Sequence, residues 1–332
     1  MRVCRRGLAA AALVLASIRA AAGETPVWPQ PPAQARIEFV QAFSRPSDLG
    51  IARGLLGRVA DFLFGAADER LVRPMAVALA AGVVYVADPG ARGVHRFDRG
   101  AGRYALIAAE GGAMPSPVGL AAGGDGEVYV VDSRLAQVFL LRPGASVAVP
   151  LRLDRRLTQP TGIAVDAASG RLYVVDAGAH CVYIFSRDGS SAGSIGRRGD
   201  GDGEFNFPTH IWRTAQGLLY VTDALNFRVQ SFDAQGRFRA KFGRQGDKAG
   251  DAGRQKGVAS DRDGRVYVVD ALFHALQIFA DDGRPLLLLG ERGHGPGEFW
   301  LPTGICIDER TIYVADAYNQ RVQVFRSVGG PS

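Results

Sequence analysis

A phrase of the form Tyr-Val-x-Asp occurs six times along the chain, ending at Asp88, Asp132, Asp176, Asp223, Asp270 and Asp316, at intervals of 44, 44, 47, 47 and 46 residues. Self-similarity at that period, carried by alternating β-rich segments, predicts a propeller in which each repeat is one four-stranded blade. The fold class expected is therefore all-β, a six-bladed β-propeller. A second landmark lies 14 to 16 residues upstream of each Asp: Pro74, Pro117, Pro160, Pro208 and Pro302, with Gln255 in the fifth repeat. Proline tolerates that place because it opens a strand, where no ladder donor is lost. Segments such as Arg228–Phe232 and Phe238–Phe242 supply the third and fourth strands, and the Gly-rich runs 196–205 and 290–299 supply the crossovers between blades.

The last repeat is one strand short, because the chain runs out soon after its third strand at Phe325. An open edge must be covered. Residues 36–44 alternate so that Ile37, Phe39 and Phe43 share one face of an extended segment, which is expected to be the missing outer strand. Residues 47–65 fall outside the repeat. Ile51, Leu55, Val59, Phe62 and Leu63 recur there at helical spacing, with Ser47 as cap and Gly65 as stop, predicting a short helical insertion. Residues 23–35, with Trp28-Pro29-Gln30-Pro31-Pro32, read as an extended tether, 36–326 as the propeller and 327–332 as a tail.

Residues 1–22 combine Arg2, Arg5 and Arg6, an apolar run from Gly7 to Ile18 and the small residues Ala20, Ala21 and Ala22, the composition of a cleavable signal peptide. The run is too short to span a bilayer. No transmembrane span is expected, and the protein is expected to be periplasmic or secreted. The whole chain carries a formal charge of +6; removing the leader takes four Arg and no acid, leaving +2. That balance lacks the electrostatic footprint of a nucleic-acid binder. Cys181 and Cys306 fall in the third and sixth repeats, on opposite sides of the ring and too far apart to pair. With no CxxC or Cys/His metal spacing, no cofactor is expected, and the protein is expected to be monomeric.

The string Pro160-Thr161-Gly162-Ile163, the Tyr-Val-x-Asp phrases and the endings Arg228-Val229-Gln230-Ser231-Phe232 and Arg321-Val322-Gln323-Val324-Phe325, joined by crossovers finishing in Glu-Phe, resemble NHL repeats across residues 74–326. NHL modules of ubiquitin ligases of the tripartite-motif type bind RNA or protein through one face. Peptidylglycine amidating lyases, which use similar blades, hold zinc with His placed directly after the Pro of several strands. The matching positions here are Met75, Val118, Thr161, Thr209, Lys256 and Thr303, none of them His. The resemblance therefore implies a protein-binding or scaffold module of the cell envelope, its partner an envelope or extracellular protein. A propeller enzyme, a metal-dependent lyase or hydrolase acting on a small molecule at the central channel, stands as the alternative.

Whatever recurs in every repeat serves the fold, and departures mark candidate sites. The six Asp carboxylates are expected to brace the turns that follow them through hydrogen bonds to backbone N–H groups. After Asp223, Asp270 and Asp316 those turns carry Leu225, Phe227, Leu272, Phe273, His274 and Tyr318, where polar residues are usual. These side chains either form a partner-binding surface or pack against neighbouring crossovers. The other departure concerns the Pro-x-Gly phrase: His210 stands in place of the Gly, and Gln255-Lys256 in place of Pro-Thr. With Trp212 and Arg213 close behind, His210 and Lys256 mark a candidate ligand site at the channel mouth.

Overall fold

Side-chain alternation decides the depth of each strand. In Val128–Asp132 and Val266–Asp270 every residue is buried, because both faces of an inner strand press on neighbouring blades, and such strands read as near-continuous Val-rich runs. Outer strands face water: in Phe238–Phe242 the three central residues are exposed. The computed structural model describes residues 25–34, 36–52 and 69–328.

The third blade is built from Pro160–Asp166, Arg171–Asp176, Cys181–Phe185 and Ser191–Ile195, antiparallel in chain order from the axis outward. The fourth runs from Pro208–Arg213 to Phe238–Phe242 and the fifth from Gln255–Ser260 to Pro285–Leu289 in the same order. The first two blades, beginning at Ala76–Ala80 and Pro117–Ala122, are joined through their outer strands, Val147 and Ala148 pairing in parallel with Ala108 and Ala109. First strands of successive blades pack together all round the ring, the sixth against the first, and enclose a central channel.

The sixth blade takes Pro302–Asp308, Thr311–Asp316 and Arg321–Ser327 from the end of the chain and its fourth strand, Ile37–Phe43, from the beginning. The expected clasp is therefore present, with three corrections. Val27–Trp28, in the supposed tether, adds a fifth strand by pairing with Glu38 and Ile37. The third strand runs through Ser327, so the tail starts later than expected. A bulge at Val40 also breaks the single apolar face: pairing passes from Phe39 opposite Phe325 to Gln41 opposite Val324. The extra residue turns everything after it to the other side of the sheet. Ile37 and Phe39 enter the core between the fifth and sixth blades, and Phe43 enters the core between the sixth and the first. There Phe43 meets Phe97 edge-on at 5.3 Å between ring centroids.

The predicted helix over 47–65 is not what its first residues form. Pro46–Leu49 is a single 3-10 turn with Arg45, not Ser47, at the cap position, and Gly50 ends it at φ 74°. Ile51 and Ala52 are not helical, and 53–68 lie outside the described residues. Leu49, Ile51 and Leu71 pack into the same core as Phe43.

Ile37 and Phe43 are each only 1% exposed, and burying such side chains stabilises by ~1.5–3 kcal/mol apiece as an upper figure. Removal of residues 25–44 is expected to give aggregated or unfolded protein by size-exclusion chromatography and circular dichroism. A soluble truncate that melts like the parent contradicts the clasp.

Candidate functional site

The six repeated carboxylates are all fully buried, and a buried charge persists only if its oxygens are met. Each accepts from the segment leading into its own blade, through the N–H groups of Val72, Ser116, Thr158, Asn206, Gly253 and Trp300 at 2.6–2.8 Å. In the first, second, third and fifth blades the same carboxylate also accepts from the turn that follows, through Ala91, Leu135, Ala179 and Phe273 at 2.9–3.1 Å. In the fourth and sixth blades side chains take over that second role. Asp223 accepts from Asn226 Nδ2 and Arg228 Nε at 2.9 and 2.8 Å, and Arg228 spends its remaining donors on the carbonyls of Asp200, Gly201 and Glu204. Asp316, Asn319 and Arg321 repeat the arrangement on His294, Gly295 and Glu298. Turns and crossovers on this side of the disc are thereby locked to one another.

The residue four places after each Asp closes its turn in the left-handed region: Arg92, Ala136, His180, Phe227, His274 and Gln320 have φ between 51° and 58°. Two of them do more. His180 Nδ1 accepts the backbone N–H of Phe207 at 3.2 Å, and His274 Nδ1 accepts that of Leu301 at 3.1 Å, stapling one blade to the next. Burial, and then the Arg292 guanidinium, hold His274 below the usual imidazole pKa, which keeps the accepting nitrogen free of a proton.

The expected partner surface thus divides. Leu225, Leu272 and Tyr318, each two residues after its Asp, are exposed at 53%, 59% and 54% and present apolar side chains to solvent. Phe227, Phe273 and His274 are half-buried and build that surface from below, Phe273 lying against the Gly253 backbone. Two aromatics join the face that sequence reasoning missed. Phe207 is 39% exposed, and Trp300 lies beside Tyr318, the rings tilted at 40° with centroids 5.7 Å apart, with the Arg292 guanidinium over its ring at 5.4 Å. Both belong to lead-in segments just before a strand-opening Pro, and that placement was the only available signal.

The expected channel site divides too. Pro208–Arg213 crosses the channel from the turn face to the opposite face, which at about 3.3 Å per residue places His210 and Arg213 roughly 10 Å apart. A cavity of about 260 Å³ lies between them, walled by Leu79, Leu120, Ile163, Ile211 and Ile305, with His210 at one end and Trp212, Arg213 and Asp308 at the other. Lys256 lies outside that lining, beyond the His210 end and within electrostatic reach of it. At the far end Arg213 Nη2 meets Asp166 at 3.0 Å; Asp166, although desolvated, is held below its ordinary value by Ser169 and Arg213. Among the described residues no three His, Cys, Asp or Glu groups gather as a metal site.

Close approach of the first strands explains why the phrase holds Gly. A Cβ on Gly304 would stand 2.5 Å from the Met75 carbonyl oxygen, and one on Gly162 would stand 2.9 Å from that of Thr209. His210 places a whole imidazole at the equivalent point. Neither ring nitrogen finds a partner, and burial, then the Lys256 charge, push its pKa down to about 3. An unfolded chain binds that proton near pH 6.5, before the folded chain does, so stability falls as pH drops from about 6.5 toward 3. Over that window His210→Gly is expected to lose less stability than the parent in urea titrations, and parallel losses contradict the assignment.

A family model described as 6-bladed beta-propeller matches residues 258–327, and an NHL repeat model matches residues 157–185. Among solved structures the chain is similar to virginiamycin B lyase from Staphylococcus aureus, with 14% identity over 78% of this chain and 96% of that one and a TM-score of 0.56. It is similar to a gluconolactonase from Xanthomonas campestris, with 14% identity, coverage of 77% and 86% and a TM-score of 0.58. A chain of a nidogen/laminin complex matches at 18% identity, coverage of 74% and 86% and a TM-score of 0.55. At these identities the likeness shows the fold alone. No curated protein sequence matches the chain. Six blades around one channel, a sixfold braced carboxylate and the matching models together show that the chain is a six-bladed β-propeller, with an NHL repeat matched over residues 157–185.

Proposed function

We propose that the protein is an exported binding module of the cell envelope or extracellular space, and that it captures a protein partner on the turn face of its fourth, fifth and sixth blades. The observation that carries this reading is the recurrence of one exposed apolar side chain at the same turn position in three successive blades: Leu225, Leu272 and Tyr318. Their turns are fixed by the carboxylate bonds below them, with guanidinium bonds added by Arg228 and Arg321 in the fourth and sixth blades, so a partner meets a surface already ordered and little entropy is lost on docking. Large apolar and aromatic groups on a rigid face are the usual anchors of protein interfaces. The nidogen/laminin complex places the same fold in an assembly of proteins, and the leader-like residues 1–22 support export.

Likeness to a lyase and a gluconolactonase favours a second reading, chemistry on a small molecule in the channel, where His210, Arg213 and Asp308 line the cavity and Asp166 pairs with Arg213. Turnover of a lactone or ester by the purified protein, abolished by His210→Ala, distinguishes that reading from the first.

The combined change Leu225→Ser, Leu272→Ser and Tyr318→Ser removes exposed side chains only. It is expected to leave the melting temperature within a few degrees of the parent and to abolish capture of the partner that the mature protein retains from envelope extract. Undiminished capture by the triple variant rejects this face as the interface.

A further inference from the structure

Buried side-chain atoms lacking a hydrogen-bond partner are concentrated in one place. Among the described residues there are eight such atoms, and five belong to Thr209, His210 and Gln255. All three residues stand at the seam between the fourth and fifth blades, where the Pro-Thr-Gly phrase is broken on both sides. In the intact phrase the Thr hydroxyl donates to the carbonyl of the next blade's proline: Thr161 to Pro208 at 3.4 Å and Thr303 to Pro74 at 3.1 Å. Thr209 is followed around the ring by Gln255 instead, and its hydroxyl has no acceptor. His210 pairs across the strands with Thr222, whose hydroxyl donates to the Lys256 carbonyl at 2.9 Å, so the imidazole lies on the side that faces the fifth blade. Gln255, 1% exposed, turns its amide back toward Gly243 and bonds through neither its oxygen nor its nitrogen. A buried donor or acceptor left unmet is costly, so the three unmet atoms of Thr209 and His210 in this seam call for an occupant.

The groups present define its chemistry. Of the six equivalent positions Met75, Val118, Thr161, Thr209, Lys256 and Thr303, only Lys256 is charged. Burial, and then the neighbouring cation Arg254, draw its ammonium below the ordinary value, and a bound anion would relieve the second of these. A neutral imidazole offers one donor and one acceptor, Thr a hydroxyl and Gln both amide functions. Beyond His210 the walls become aliphatic, and the volume of about 260 Å³ falls below the ~300–1,000 Å³ typical of sites for drug-sized ligands.

We propose that this seam is a binding site for a small organic monocarboxylate, whose acid group is held by Lys256, Thr209 and His210 and whose short aliphatic body occupies the channel cavity. Ordered water is the competing occupant. The probes are hexanoate and its neutral isostere hexanamide, titrated calorimetrically into the mature protein. Hexanoate is expected to bind, with hexanamide about tenfold weaker or more, as loss of a charge-assisted contact implies. Lys256→Thr and His210→Gly restore the residues of the repeat and are expected to remain folded by circular dichroism while weakening hexanoate about tenfold or more. No hexanoate binding to the parent, equal affinity for hexanamide, parental affinity in both variants, or a crystal grown with hexanoate that holds only water in the seam overturns the site. The turn-face triple variant keeps its hexanoate affinity, which separates this site from the partner surface.

Discussion

A carboxylate sealed from water at the end of each second strand is the interaction on which the rest of this propeller hangs. Such a group is tolerable only when its lone pairs are filled, and here they are filled from the lead-in segment of its own blade and from the turn after it. One side chain therefore joins two loops that would otherwise move independently. The effect is strongest in the fourth and sixth blades, where Arg228 and Arg321 neutralise the charge and carry the bonding into the crossovers. The equivalent places in the other blades hold Gly93, Gln137, Cys181 and Ala275, which cannot do this. The apolar turn of the fifth blade is thus flanked by the two most heavily braced loops of the ring.

Much of this was legible in the residues, for identifiable reasons. Tyr-Val-x-Asp recurs because an inner strand buried on both faces admits few alternatives, and closure by residues 37–43 followed from counting strands. The bulge at Val40 was invisible because nothing in an alternating run says which residue will be left unpaired, and one unpaired residue reverses the facing of all that follow. The stapling roles of His180 and His274 depend on a left-handed backbone that the turn geometry imposes on any residue there. Arg213 was grouped with His210 by nearness in sequence, but three residues of extended chain reach from one end of the channel to the other. Leu225, Leu272 and Tyr318 were visible as apolar residues in turns; their separation from Phe227, Phe273 and His274 required knowing the turn.

Symmetry makes the exceptions informative. Five blades place Gly or Ala where first strands crowd the axis, and the fourth places His210. Gln255 and Lys256 depart from the phrase at the facing position of the next blade, so two local departures meet at a single seam. Sequences that fold well are locally consistent, and a cluster of inconsistencies is where function is to be sought.

The pairing of residues 37–43 with 321–327 joins two strands that lie about 280 residues apart, on either side of the whole ring in sequence. Until residues 321–327 have been made, the early strand lacks its partner in the sixth blade and the ladder groups on that side stay open to any other edge. An emerging chain of this kind must be kept apart from its neighbours until all six blades have been made, and only then can the ring shut.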